Sequence, residues 1–185
     1  MSATEELKHE HQIIKRMLAV LDTAAARAEG GQALPPDFFS RAVDFIRNFA
    51  DRCHHGKEED NLYPAMERRG IPREGGPIGV MLVEHEQGRA YVKGMQEAGQ
   101  RLAKGDRAAL KEATGNARGY SRLLNQHIDK EDNILYAMAD QVLSTTDQQE
   151  LMAKFEEVER ERIGPGKHHE YVKLVEDLER ELGLT

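Results

Sequence analysis

The sequence predicts an all-α protein built as an up-down-up-down four-helix bundle with a two-helix C-terminal extension. Three observations carry this. The stretch His54-His55-Gly56-Lys57-Glu58-Glu59-Asp60-Asn61-Leu62-Tyr63 returns 73 positions later as His127-Ile128-Asp129-Lys130-Glu131-Asp132-Asn133-Ile134-Leu135-Tyr136, so both copies read His-x-x-Lys-Glu-x-x-x-Leu-Tyr. A second echo, Glu10-His11 and Glu84-His85, is 74 positions apart and precedes each copy. A helix pair doubled at a near-constant offset is the sequence form of an approximately twofold bundle. Finally, 39% apolar residues with only 5% aromatic, no Trp and 32% charged residues suit long, salt-bridged helices better than a sheet.

The first helix runs from about Thr4 to Glu29, because Leu7, His11, Ile14, Leu18, Leu21, Ala25 and Ala28 follow steps of four and three. His11 sits in that apolar seam and His9 does not. Gly30-Gly31 ends the helix, and Leu34-Pro35-Pro36-Asp37 restarts the chain. In the second helix Phe39, Val43, Ile46, Ala50, His54 and Glu58 share one stripe, so the imidazole and carboxylate continue an apolar face and need a partner there. His55 and Glu59 fall about 100° off this stripe. Pro64 is expected to end or kink the helix near Tyr63.

The glycine- and proline-rich stretch from Arg69 to Pro77 joins the two halves. The third helix carries Ile78, Met81, His85, Gly88, Val92, Met95, Gly99 and Leu102, with His85 as the polar member of the seam. Gly88, one turn on, either leaves room for a small ligand or allows a close helix crossing. The fourth helix carries Leu110, Ala113, Ala117, Tyr120, Leu124, His127, Glu131, Ile134 and Met138, where His127 and Glu131 interrupt the apolar run. Tyr120 is either a packed core residue or a hydrogen-bond donor near the site. The bundle should thus occupy 1–143. The extension, 144–185, holds one helix opening at Thr146 with Gln149 as a capping box, and a last one after Gly164-Pro165-Gly166. Tyr171, Leu174, Leu178 and Leu182 of that last helix form a stripe that packs on the bundle or, in a homodimer, on a second subunit.

A net charge of −7 and the lack of a basic run argue against nucleic acid as a partner. No apolar stretch approaches a membrane span and no signal pattern opens the chain, so no membrane partner is expected. The lone Cys53 cannot form an internal disulfide, which fits a reducing cytoplasm, and its rotation away from His54 makes it a buried thiol.

Each His-x-x-x-Glu pair lies on one helix face, one turn apart. Four helices therefore bring together His11, His54, His85 and His127 with Glu58 and Glu131, too many ligands for one tetrahedral zinc. The set suits two ions sharing the carboxylates as bridges. Nitrogen and oxygen ligands without thiolate favour two non-haem iron ions, with manganese, zinc or cobalt as substitutes, and leave coordination positions for water or dioxygen.

The four motifs, Glu10-His11-Gln12, His54-His55-Gly56-Lys57-Glu58-Glu59, Glu84-His85-Glu86 and His127-Ile128-Asp129-Lys130-Glu131, resemble the hemerythrin-like family of His-His-Glu cation-binding domains over roughly Thr4 to Asp140. The resemblance implies a carboxylate-bridged di-iron centre that binds dioxygen, nitric oxide or peroxide, in a sensor, store or scavenger. The oxygen carriers of that family place a second histidine one turn after the third-helix histidine, where this chain has Arg89, which cannot ligate. They also use an aspartate five residues after the last histidine, here Asp132; Glu131 matches the wider family and the seam. His168 is a candidate to replace the missing ligand from the tail. Two other readings remain: an enzyme or iron donor similar to the di-iron proteins that repair iron–sulfur centres, which ranks lower because those usually add an N-terminal cysteine-bearing segment not seen in this sequence, and a structural protein whose histidines fill a polar core layer.

Overall fold

The computed structural model describes residues 2–184, and these form helices joined by short turns, with no strand among the described residues. Helix α1 spans Ala3–Glu29 and opens on Ser2, whose hydroxyl accepts from the Glu5 amide while the Glu5 carboxylate accepts from the Ser2 amide. A second rod is continuous in backbone conformation but changes its winding: α2 (Phe38–Phe45), a π-helical segment π1 (Ile46–His55), a second, π2 (Glu58–Leu62), and α3 (Tyr63–Arg68). Helix α4 is Pro77–Ala103. A further rod joins α5 (Ala109–Lys130), π3 (Glu131–Leu135) and α6 (Tyr136–Val142). The chain closes with α7 (Thr145–Arg162) and α8 (Lys167–Glu181).

The π segments correct two expectations. Pro64 does not end its rod, which runs on to Arg68. The wide turn of π2 lies immediately before it, where the proline's missing N–H and ring would otherwise disturb an α-helical ladder. Ile134, expected in the seam, is 55% exposed, while Leu135 and Tyr136 are buried. Bonding from i to i+5 in π3 turns each residue through less than the ~100° of an α-helix and so shifts the face beyond Glu131. A third correction concerns α7, which opens at Ser144 with Asp147 as its capping box, two residues before the expected start. Ser144 and Asp147 satisfy the same spacing rule as Thr146 and Gln149, and the two pairs compete for one helix end.

Helix α5 packs along both α4 and α1, and α2 packs on α4. A Cβ on Gly119 of α5 would lie 2.3 Å from the Tyr91 ring of α4, so glycine is what permits that approach. The apolar interior is in two parts. One contains Ile14, Leu18, Phe45, Phe49, Met95 and Tyr120; the other contains Leu7, Leu62, Met66, Ile78, Leu135 and Phe155. Along α1 the boundary between them falls at His11, along α4 at His85, and along α5 near His127, so the polar residues of the seams form a layer between two apolar plugs.

Val175, Leu178 and Leu182 at the C-terminus are buried in the same cluster as α1 and α2, and Arg16 of α1 pairs with Glu179 through two hydrogen bonds of 2.9 and 2.6 Å. Replacing the fully buried Leu178 with Ala is expected to lower unfolding free energy by about 2–5 kcal/mol. Val83→Ala, at a 57% exposed site, should stay within about 0.5 kcal/mol, both read from urea denaturation.

Candidate metal centre

Six residues expected to meet do meet. His11 from α1, His54 from π1, Glu58 from π2, His85 from α4, His127 from α5 and Glu131 from π3 are all essentially inaccessible to solvent. They fall into two groups whose ligand atoms lie within 4.8 Å of one another: His11, His54, Glu58 and Glu131, and then His55, Glu58, His85 and His127. Glu58 belongs to both. Glu131 is shared in effect too, since its Oε2 is 3.3 Å from His11 Nε2 and 3.2 Å from His127 Nε2.

His55 is the residue that helical periodicity missed. It was expected to point away from the stripe, yet it is only 4% exposed and its ring stacks on His85 with centroids 3.8 Å apart. π1 ends at His55, and its wider turn lets two consecutive histidines face one interior. His168, by contrast, does not reach the cluster. It is half-buried, with its ring 5.1 Å from that of Phe49. Arg89, at the position where the carriers have a histidine, is engaged by Asp51, Glu59 and Glu86.

Every imidazole is aimed by a carboxylate on its outer nitrogen. His54 Nδ1 is 2.8 Å from Glu10, His127 Nδ1 2.9 Å from Glu84, His85 Nδ1 2.7 Å from Glu59, His11 Nδ1 2.7 Å from Asp132 and His55 Nδ1 3.3 Å from Asp51. A ring that donates from Nδ1 presents the Nε2 lone pair inward, and this is how proteins orient metal-ligating histidines. Each orienting carboxylate is in turn held by a cation: Glu10 by Lys57 at 2.6 Å, Glu84 by Lys130, Glu59 and Asp51 by Arg89, and Asp132 by Lys15 at 3.7 Å. Tyr136 donates to Glu58, and Tyr63 donates to Glu131 at 2.9 Å. Asp132 therefore acts here through His11.

The centre of this arrangement does not balance by itself. With the inner nitrogens of His11 and His127 presenting lone pairs, His54 Nε2, Glu58 Oε2 and Glu131 Oε2 are buried and have no hydrogen-bond partner, which is costly in a protein interior. Burial, followed by the proximity of Glu131, pushes the Glu58 carboxyl well above its ordinary range. Burial also acts upward on Glu131, but His127 and His11 in their charged forms outweigh it and hold that carboxyl well below. His54 is pushed down to about 4, mainly by burial. His85 Nε2 and His127 Nε2 face each other at 3.1 Å. Two nitrogens each about 2.1 Å from a common ion, at a right angle, would be about 3.0 Å apart. Inward lone pairs, orphaned carboxylate oxygens and this spacing all fit a metal ion. Cys53 takes no part: it is fully buried and its thiol is pushed up to about 12 by burial and then by Glu10.

The family model described as hemerythrin HHE cation binding domain matches residues 2–139. The chain belongs to this hemerythrin family. It is 24% identical, over 184 residues, to uncharacterized proteins of Mycobacterium bovis and of two Mycobacterium tuberculosis strains, matching 100% of its own length and 71% of theirs. No solved structure matches it. The family and the buried His/Glu cluster together make this a metal-binding protein. Among the described residues no helix is long and apolar enough to cross a membrane.

Removing an orienting carboxylate should loosen the metal without unfolding the chain. Glu10→Gln is expected to weaken metal affinity by about 10–100-fold in chelator competition, while Glu59→Gln does the same through His85. Equal affinities in wild type and both variants would show that these carboxylates do not orient ligands.

Proposed function

We propose that this hemerythrin-family chain is a non-haem di-iron protein that binds or reacts with dioxygen, nitric oxide or peroxide, as a sensor, store or scavenger in the cytoplasm. In this reading the rods carrying α1, α2, α4 and α5 form the up-down-up-down bundle over residues 1–143, and 144–185 is an extension packed on it. His11 and His54 would hold one ion and His55, His85 and His127 the other, with Glu58 and Glu131 within reach of both. The observation that carries the proposal is the trio of buried, unpartnered atoms, His54 Nε2, Glu58 Oε2 and Glu131 Oε2, at the meeting point of five oriented imidazoles. A purely structural layer would bury that unsatisfied polarity for no gain.

Iron is preferred because the donors are nitrogen and carboxylate oxygen without thiolate, and manganese, zinc or cobalt suit the same donors. Iron would supply reversible electron transfer and coordination positions that exchange. The protein's residues supply the rest. The five carboxylates on the Nδ1 atoms keep the imidazoles in one tautomer, Tyr63 and Tyr136 fix the rotamers of Glu131 and Glu58, and the apolar plugs above and below keep bulk water out. If Glu58 and Glu131 each served both ions, five imidazoles and two carboxylates would offer nine bonds, fewer than the twelve that two octahedral ions would take, and small molecules would fill the difference.

Protein isolated without chelators is expected to hold about two iron atoms per chain, and its reduced form to react with dioxygen or nitric oxide with a change in absorption. Glu58→Ala, Glu131→Ala and His55→Ala should each lower iron content, whereas His168→Ala should not. A folded chain that takes up no ferrous iron anaerobically, or an iron-loaded form inert to both gases, would sink the reading.

A further inference from the structure

Around the cluster the two halves of the chain correspond closely. Offsets of 73 or 74 positions pair Glu10 with Glu84, His11 with His85, His54 with His127, Lys57 with Lys130, Glu58 with Glu131, Glu59 with Asp132 and Tyr63 with Tyr136. Four positions where the pairing fails are His55 against Ile128, Asp51 against Leu124, Gly88 against Ile14, and Tyr120 against Arg47. His55, Asp51, Gly88 and Tyr120 all line one cavity of about 170 Å³, together with His85. These four asymmetries gather around one space.

The cavity also holds an unexplained group. Tyr120 is 2% exposed and its hydroxyl has no hydrogen-bond partner. A Cβ built on Gly88 would lie 3.5 Å from the Tyr120 ring and 3.4 Å from Leu124, so the backbone crossing itself does not demand glycine there. Gly88 lines the cavity, so a larger side chain there would take up part of its space. Arg89 lines the cavity with its charge already met by Asp51 and Glu59 at 2.7 and 2.8 Å, and the exposed Arg47 lines it as well with no carboxylate in ion-pair range among the described residues, so one unmatched positive charge stands at the cavity.

We infer that this cavity is the ligand pocket of the His55, His85 and His127 side of the centre. It would receive a small ligand that accepts a hydrogen bond, and the Tyr120 hydroxyl would donate that bond. The inference rests on the two-ion reading above and adds to it a side, a size and a donor. A volume of about 170 Å³ has room for a ligand of a few heavy atoms.

Azide is the probe, added to oxidised iron-loaded wild type and Tyr120→Phe. Iron content is measured first, then azide affinity from the charge-transfer bands, then the bound azide vibration by resonance Raman in H2O and D2O. Tyr120→Phe should keep its iron and bind azide about ten- to a hundredfold more weakly. It should lose the D2O shift that wild type shows. Without metal it should melt no lower than wild type, because the change deletes an unpartnered buried hydroxyl. Lower melting temperature with unchanged azide affinity would assign the hydroxyl a structural role and overturn the inference. Gly88→Leu and Val92→Phe fill the cavity from two walls; if either keeps its iron and binds azide as wild type does, the pocket is elsewhere. Wild type that takes up no iron defeats the two-ion reading, and the inference with it. Iron-loaded wild type that ignores azide defeats the pocket alone.

Discussion

The constraint on which this structure turns is the burial of ionisable groups that cannot balance one another. Glu58 and Glu131 are both fully buried and share one neighbourhood, so they cannot both be ionised cheaply without a cation between them. Their carboxyls are driven in opposite directions, Glu58 upward chiefly by burial and Glu131 downward by His127 and His11 against burial. Two divalent ions would relieve this and overshoot, bringing four positive charges against two negative ones. The surplus meets Glu10, Glu84, Glu59, Asp132 and Asp51 one imidazole further out, and these meet Lys57, Lys130, Arg89 and Lys15 nearer the surface. Charge alternates outward in shells, and each shell is oriented by the next. The apolar plugs on either side then need contribute only packing.

The shells explain why the repeated motif is longer than its ligands. Within one copy, His-x-x-Lys-Glu supplies an imidazole and a carboxylate for the centre, but the lysine serves the carboxylate that orients that imidazole: Lys57 holds Glu10, which holds His54, and Lys130 holds Glu84, which holds His127. The residue after Glu58 or Glu131 reaches across to another helix, Glu59 to His85 and Asp132 to His11. The terminal tyrosines cross between copies, Tyr63 to Glu131 and Tyr136 to Glu58. Neither copy is complete alone, so the two halves are tied together through the centre as well as through their apolar faces.

This division marks what a sequence can disclose. His11 and His85 could be read because α1 and α4 are regular α-helices, and there a step of three or four names the buried face. His54, Glu58, His127 and Glu131 could be read because the pair spacing repeats. His55 and Ile134 were misread for one reason, the local π winding at π1 and π3, which shifts a face that a 3.6-residue period would place elsewhere. The orienting residues Glu10, Glu84 and Glu59 sat at paired positions but carried no assignable role. Their partners lie on other helices, and only the packing of α1 against the second rod brings Glu10 to His54.

The extension bears on the asymmetry of the centre. Arg162 of α7 lies across Gly56, where a Cβ would sit 2.1 Å from its Nη1, and it donates to the Arg52 carbonyl while pairing with Asp60. Glu159 and Phe155 of the same helix close over Lys57, the cation that holds Glu10 and through it His54. The other copy has Asp129 where Gly56 stands and Lys130, 38% exposed in its side chain, where Lys57 is buried. So the shell behind His54 is sealed by α7, while the space beside His55 and His85 is bounded by Asp51 and Arg89, which remain partly exposed. Two ions bound as proposed would therefore differ in access: α7 covers the shell behind His54, whereas a cavity opens beside His55 and His85.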